Sequence, residues 1–147
     1  MTKKAWKPRE MPALLIGEAA RVLARRQDEG LRQAGLRVAQ LPVVVALKNG
    51  EKLTQKALAQ IAGVEQPSMA QLLARMERDG LVRRDPDPDD GRSSLVSLTP
   101  AAIAQLEPGR DVLRLCNDDA LRGFSAQEVA LLADMLRRIL ANLGERD

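Results

Sequence analysis

The sequence predicts a mainly α-helical fold with one small β-hairpin, and three neighbouring stretches decide it. In the first, residues 65–79, Met69, Leu72, Leu73 and Met76 recur at helical spacing and define a buried face. Ser68, Gln71, Arg75 and Arg78 fall on another face, and that polar stripe holds no carboxylate, since Glu77 and Asp79 lie outside it. Pro67 suits a first helical turn, where its missing N–H costs nothing, and Gly80 suits the stop. The second stretch, 53–63, reads as a shorter helix with Thr54 as N-cap and Leu53 able to staple onto Leu58. Gly63 closes it, and Val64 is expected to re-enter the core. Two short helices joined by a tight glycine turn make a helix-turn-helix. In the third stretch, 81–84 and 92–98 are β-prone runs around a Pro/Asp/Gly tip at 85–91, which reads as a hairpin. A helix-turn-helix followed by a hairpin is a winged helix, whose most frequent task is reading DNA.

The remaining segments read as helices around this unit. Residues 1–11 look like a loose basic tail carrying Lys3, Lys4, Lys7 and Arg9. From Pro12 to about Ala34 the pattern is helical, with Leu15, Ala19, Val22 and Leu23 on one side, Arg21, Arg25 and Arg26 dispersed around it, and Gly35 at its end. Residues 40–47 are strongly apolar. Their three valines admit a strand, but the run is short and Pro42 fits an early helical position, so a buried helix is expected before the Asn49-Gly50 turn. After the hairpin, Thr99-Pro100 is a cap followed by proline at the first helical position. That helix should run towards Arg122, with a kink or a break at Pro108-Gly109, because proline removes a backbone bond and clashes with the preceding turn. Ser125 and Glu128 form a capping box, with Phe124 placed to staple onto Val129. The last helix carries Leu132, Met135, Leu136, Ile139, Leu140 and Leu143. The helices at the two chain ends can bury their stripes only against each other or against a second copy. By elimination they form a dimerisation module, which palindromic DNA recognition requires.

Composition narrows the function classes. At 147 residues, with 45% hydrophobic and 29% charged residues, the chain reads as one globular domain able to build a core. A net charge of +3 and a pI near 9.4 permit nucleic-acid binding but fall far short of histone-like coating. The single Cys116 cannot form an internal disulfide, and it reads as a buried structural thiol. No apolar run approaches the ~18 residues of a membrane span. The run 14–16 is too short for a signal peptide, so the cytoplasm is the expected location.

Catalysis finds no support. With no His and one Cys, Ser-His-Asp and Cys-His chemistry lack a base, and no G-x-S-x-G, Walker A or G-x-G-x-x-G occurs. Asp85-x-Asp87-x-Asp89 has the opening spacing of an EF-hand loop. Asp90 then stands where glycine is needed and Val96 where a bidentate Glu is required, which excludes calcium, so neither metal nor cofactor is expected. Trp6 and Phe124 are the only aromatic residues, too few for an aromatic-lined pocket.

This order of elements resembles the MarR family of bacterial transcriptional regulators along nearly the whole chain. The resemblance is carried by Gln40-Leu41, Leu53-Thr54, Gly63-Val64, the run L-L-A-R-M-E-R-D-G-L at 72–81, Asp87-Pro-Asp-Asp90 with Arg92, and Val96-Ser-Leu-Thr99. It implies one MarR-type domain over 1–147, with the basic tail at 1–11, dimerisation helices at 12–36 and 100–147, and the winged helix-turn-helix at 37–99. It also implies a homodimer on a double-stranded, pseudo-palindromic operator, acting as a repressor and released by a small anionic, often aromatic, effector. Gln66, Pro67, Ser68 and Gln71 match the groove-facing start of the recognition helix. Asp90 and Arg92 match the wing's Asp-x-Arg, in which the aspartate braces the hairpin and the arginine enters a narrow minor groove. With the polar stripe added, the expected DNA contacts are Thr54, Gln55, Gln66, Pro67, Ser68, Gln71, Arg75, Arg84, Arg92 and Ser94. Arg78 reads as a backbone contact or a surface ion pair. Arg21 and Arg25 of the first helix are the candidates for holding an effector carboxylate. Two departures stand out. Arg37 replaces the usual Thr or Ser cap, and the wing tip carries Asp85, Asp87, Asp89 and Asp90, which phosphates repel unless Arg83, Arg84 and Arg92 neutralise them. The acidic tip supports the alternative of a winged-helix protein-interaction module without DNA binding.

Overall fold

Apolar periodicity becomes helix along most of the chain in a computed structural model that describes residues 5–144. The helices are α1 (Pro12–Leu31), α2 (Leu41–Leu47), α3 (Gln55–Ala62), α4 (Gln66–Arg78), α5 (Pro100–Ala120) and α6 (Ala126–Asn142). Strands β1 (Val82–Asp87) and β2 (Asp90–Leu98) lie between α4 and α5 and pair antiparallel. Two compact units divide between Leu113 and Arg114.

The first unit holds the core. Leu31, Val43, Leu47, Leu58, Met69, Leu73, Met76, Val82 and Val96 are all but sealed from solvent. Three of the four apolar positions expected on α4 are among them, and Leu72 is partly buried against them. α3 is capped by Thr54, whose Oγ1 accepts from Ala57 N–H at 3.2 Å, and it ends at Gly63 in the left-handed region with φ 64°. Val64 does not re-enter the core. Its N–H bonds back to the Ala59 carbonyl, and the reversal at Gly63 leaves its side chain 43% exposed.

The 40–47 run is a helix, preceded by a 3-10 turn at Val38–Gln40. Arg37 contributes no side-chain cap there, because a guanidinium has nothing to accept with. The free N–H groups are taken instead by Gln40 Oε1, from Arg37 N–H at 2.9 Å, and by Asp28 Oδ1 on α1, from Val38 N–H at 2.7 Å. Gly35 turns the chain between α1 and α2 with φ 72°.

The hairpin is longer than expected, since β1 runs through Asp87 and β2 begins at Asp90. Pro86 is tolerated inside β1 because the strand is an edge and the pairing shifts register between Pro86 and Asp87. Leu53 adds a short third rung: its N–H and carbonyl exchange bonds with Val96 at 3.1 and 2.7 Å. Thr99 Oγ1 donates to the Gly80 carbonyl at 2.6 Å and accepts from Ala102 N–H at 3.2 Å, which ties the turn after α4 to the start of α5.

Of the kink or break expected at Pro108, the break does not occur: α5 runs continuously from Pro100 to Ala120. Pro108 and Ala104, whose carbonyl loses its helical donor, both face solvent, where water can satisfy that carbonyl. Gly109 is buried, and its bare backbone faces Leu36 and Leu31.

In the second unit, Ser125 and Glu128 cap α6 reciprocally at 3.1 and 3.2 Å. None of the residues of α6 is buried, and Cys116 is half-buried rather than sealed in the core. At the other end of the chain the basic tail is not wholly loose. Pro8–Glu10 form a 3-10 turn, and Lys7 pairs with Glu10 at 2.9 Å. Lys3 and Lys4 lie outside the described residues. Among the described residues no helix is long and apolar enough to cross a membrane, and no group of His, Cys, Asp and Glu could hold a metal ion.

Candidate nucleic-acid interface

The same periodicity that buries Met69, Leu73 and Met76 turns Pro67, Ser68, Gln71, Arg75 and Arg78 outward, while Gln66 shares the spacing of the buried stripe and is exposed as the first residue of the helix. Ser68, Gln71, Arg75 and Arg78 form one ridge of a hydroxyl, an amide and guanidinium groups along α4. Glu65 precedes the helix without capping it, so the first N–H groups of α4 have no side-chain partner. Thr54 and Gln55, at the start of α3, are half-buried, and the Thr54 hydroxyl is engaged in its cap.

On the wing, Arg92 is exposed, and its side chain has no ion-pair partner among the described residues. The acidic tip is largely occupied with its own backbone. Asp90 Oδ1 accepts from Arg92 N–H at 3.0 Å and Asp87 Oδ1 from Asp89 N–H at 2.9 Å. Such bonds hold a tight turn in place of backbone pairing. Asp85 pairs with Arg83 at 3.3 Å, and Arg84 with Glu77 of α4 at 3.6 Å. Ser94 is half-buried opposite Pro86. The ridge and Arg92 are therefore free cationic and hydrogen-bonding groups, whereas Arg83 and Arg84 are already paired.

A separate cleft of about 290 Å³ opens between α2 and α5 in the first unit. Leu36, Leu41, Val44, Leu106 and Leu113 make it apolar, and Lys48 and Arg110 are the cations along its lining. No carboxylate lines it. Arg21 and Arg25 stand exposed on α1 and are not part of this lining.

The sequence model of the MarR family matches residues 34–93, which include the helix-turn-helix and most of the wing. A probable transcriptional regulator from Pseudomonas aeruginosa is 30% identical, with a TM-score of 0.82 over 90% of this chain and 99% of its own. The chain belongs to the MarR family. A mutant MarR from E. coli, solved in complex with operator DNA, is 26% identical, with a TM-score of 0.80 over 87% of this chain and 92% of its own. The PcaV regulator of Streptomyces coelicolor, solved with its natural ligand, shares the fold at 24% identity, with a TM-score of 0.83 over 97% of this chain and 99% of its own. The winged helix is thus that of MarR-family transcriptional regulators, and these relatives are regulators rather than enzymes.

Four residues of this MarR-family chain carry no signal in its sequence. Asp28 caps the 3-10 turn before α2 from ten residues away, and Glu77 holds Arg84 from across the turn at Gly80. Neither spacing has a local signature. Lys48 and Arg110 meet at one cleft only because α2 packs beside α5, and nothing in the sequence marks that adjacency.

Proposed function

We propose that this chain is a sequence-specific transcriptional repressor that binds a pseudo-palindromic DNA operator as a homodimer and is released by a small anionic effector. The observation that carries the reading is the ridge of Pro67, Ser68, Gln71 and Arg75, exposed and free of carboxylate on a helix whose opposite face is sealed in the core, with Gln66 exposed at the helix start. An α-helix fits the major groove, where Gln can bond adenine N6 and N7 and Arg can bond guanine or phosphate. In this reading Gln71 and Arg75 address base edges, while Ser68 and the uncapped N–H groups at the start of α4 take phosphate. Thr54, Gln55 and Ser94 flank the ridge as backbone contacts. Arg92 enters the adjacent minor groove, braced by Asp90. The E. coli relative solved with operator DNA supports the assignment by likeness.

For the effector, support comes from the apolar cleft and its two cations, Lys48 and Arg110, and from a relative of the same fold solved with its natural ligand. An amphipathic anion buries its body against the leucines and meets the cations with its charge. The decisive experiment is an electrophoretic shift on the DNA upstream of the protein's own gene. A discrete retarded band that unlabelled copies of the same DNA remove, and scrambled duplex does not, is the expected result. Equal competition by scrambled duplex rules out sequence-specific regulation. The absence of any shift favours the protein-interaction reading, which rests on the acidic tip.

A further inference from the structure

Arg84 differs from every other cation around the wing. Its side chain is only 28% exposed, and its Nε lies 3.6 Å from Oε2 of Glu77, itself 50% exposed on the last turn of α4. The strand register places Arg84 opposite Val96, and Val96 exchanges both backbone bonds with Leu53, the residue before the α3 cap. One transverse row, Leu53–Val96–Arg84, therefore joins the base of the hairpin to the entry of α3, and the Glu77 pair joins the same row to the end of α4. Beyond this row the hairpin has no comparable tie to either helix among the described residues. The other ion pair of the wing, Arg83 with Asp85, lies within β1 and ties it to nothing else.

We propose that Arg84 is a positioning residue. Its pair with Glu77 sets the swing of the hairpin against the recognition helix, and so the spacing between Gln71 in one groove and Arg92 in the next. The proposal rests on the DNA-binding reading for its consequence, but not for its geometry. A carboxylate beside a DNA-facing surface repels phosphate, so removing Glu77 charge alone should strengthen binding. If the carboxylate serves to hold Arg84, its removal weakens binding instead. The two roles thus predict opposite signs for one conservative substitution.

The experiment compares wild type, Glu77→Gln, Arg84→Gln and the charge-exchanged double variant Glu77→Arg/Arg84→Glu, each as the full chain with its melting temperature recorded. Amide hydrogen exchange over residues 82–98 is measured in the free protein, and binding to operator and scrambled duplex is titrated at three salt concentrations. Positioning predicts faster wing exchange in both single variants. It also predicts operator binding weakened about two- to five-fold in each, as suits a partly exposed pair, with recovery of both in the exchanged double variant. The salt slope of Glu77→Gln should stay that of wild type. If Arg84 binds phosphate directly, Glu77→Gln binds as well as wild type or better, Arg84→Gln lowers the slope by about one unit for each phosphate no longer neutralised, and the exchanged variant is the weakest; that pattern overturns the proposal. Unchanged wing exchange in the single variants also overturns it. A wild-type protein that binds no DNA sinks the functional reading, while the exchange measurements still decide whether the pair holds the wing.

Discussion

Under the proposed function, two side chains separate information from affinity. Gln71, exposed in the middle of the ridge, is placed to read bases. Gln71→Ala should cost about 1–3 kcal/mol on the operator and much less on random duplex. Arg92 is placed for electrostatics. Arg92→Ala should weaken both duplexes and reduce the salt slope by roughly two units per dimer, one for each wing. Titration of both variants against operator and scrambled duplex at three salt concentrations distinguishes them, and wild-type binding by Arg92→Ala on both duplexes would remove the wing from the interface. The ridge was legible in the sequence because positions three or four apart share a helix face whatever the helix packs on. Asp28 was not, since its partner, Val38 N–H, lies beyond the turn at Gly35. Asp28→Ala should cost about 1 kcal/mol of stability, the worth of a helix cap, read as a lower denaturation midpoint with the m-value unchanged.

At the scale of elements, the caps and turns followed local chemistry, and the misreadings arose where packing or solvent overrode it. Thr54 and Ser125 cap as their sequence positions demand. Pro108 was expected to kink or break α5, and the helix is not broken there, because forgoing one backbone bond on a solvent-facing turn is cheaper than ending a helix whose other face is packed. The tight contact of α1 with α5 at Gly30 is equally invisible to periodicity. A Cβ built on Gly30 would stand 2.5 Å from Val112 Cγ1, on a β-branched side chain with little freedom to turn away. Gly30→Ala gains helix propensity of about 1 kcal/mol, yet overpacking costs about 1–3 kcal/mol, so a net loss of stability is expected. Gly30→Ala/Val112→Ala should remove the collision and recover part of that loss, with chemical denaturation of the single and double variants as the check. At Gly109 the nearest atom, 2.8 Å away, is Cδ1 of Leu36, the mobile end of a leucine, and Gly109→Ala should cost less.

At the scale of the whole molecule, the proposed homodimer rests on the apolar surface. Met11, Leu14, Leu15 and Val22 are exposed in the first unit, and Leu131, Met135, Leu136, Leu140 and Leu143 in the second. Contiguous apolar faces of this kind mark association surfaces. Sedimentation should show a dimer for the full chain and either loss of the dimer or insolubility when the chain is cut after Phe124; a soluble, stable monomer from the truncated chain would refute the assignment of the chain ends to dimerisation. Cys116→Ser should leave any DNA binding as insensitive to peroxide as the wild type, and a wild-type protein released by peroxide with the variant immune would instead make Cys116 a sensor. By itself the sequence determined the order of helices, the hairpin, the caps at Thr54 and Ser125, and the outward ridge of α4, because each follows from residues within a turn or two of one another. Only the tertiary structure decided that Asp28 caps the 3-10 turn before α2, that Glu77 engages Arg84, that Val64 stays in solvent and that Lys48 and Arg110 share a cleft. Those outcomes depend on which elements pack side by side, and local spacing in a chain does not encode the distance between residues that meet only after it folds.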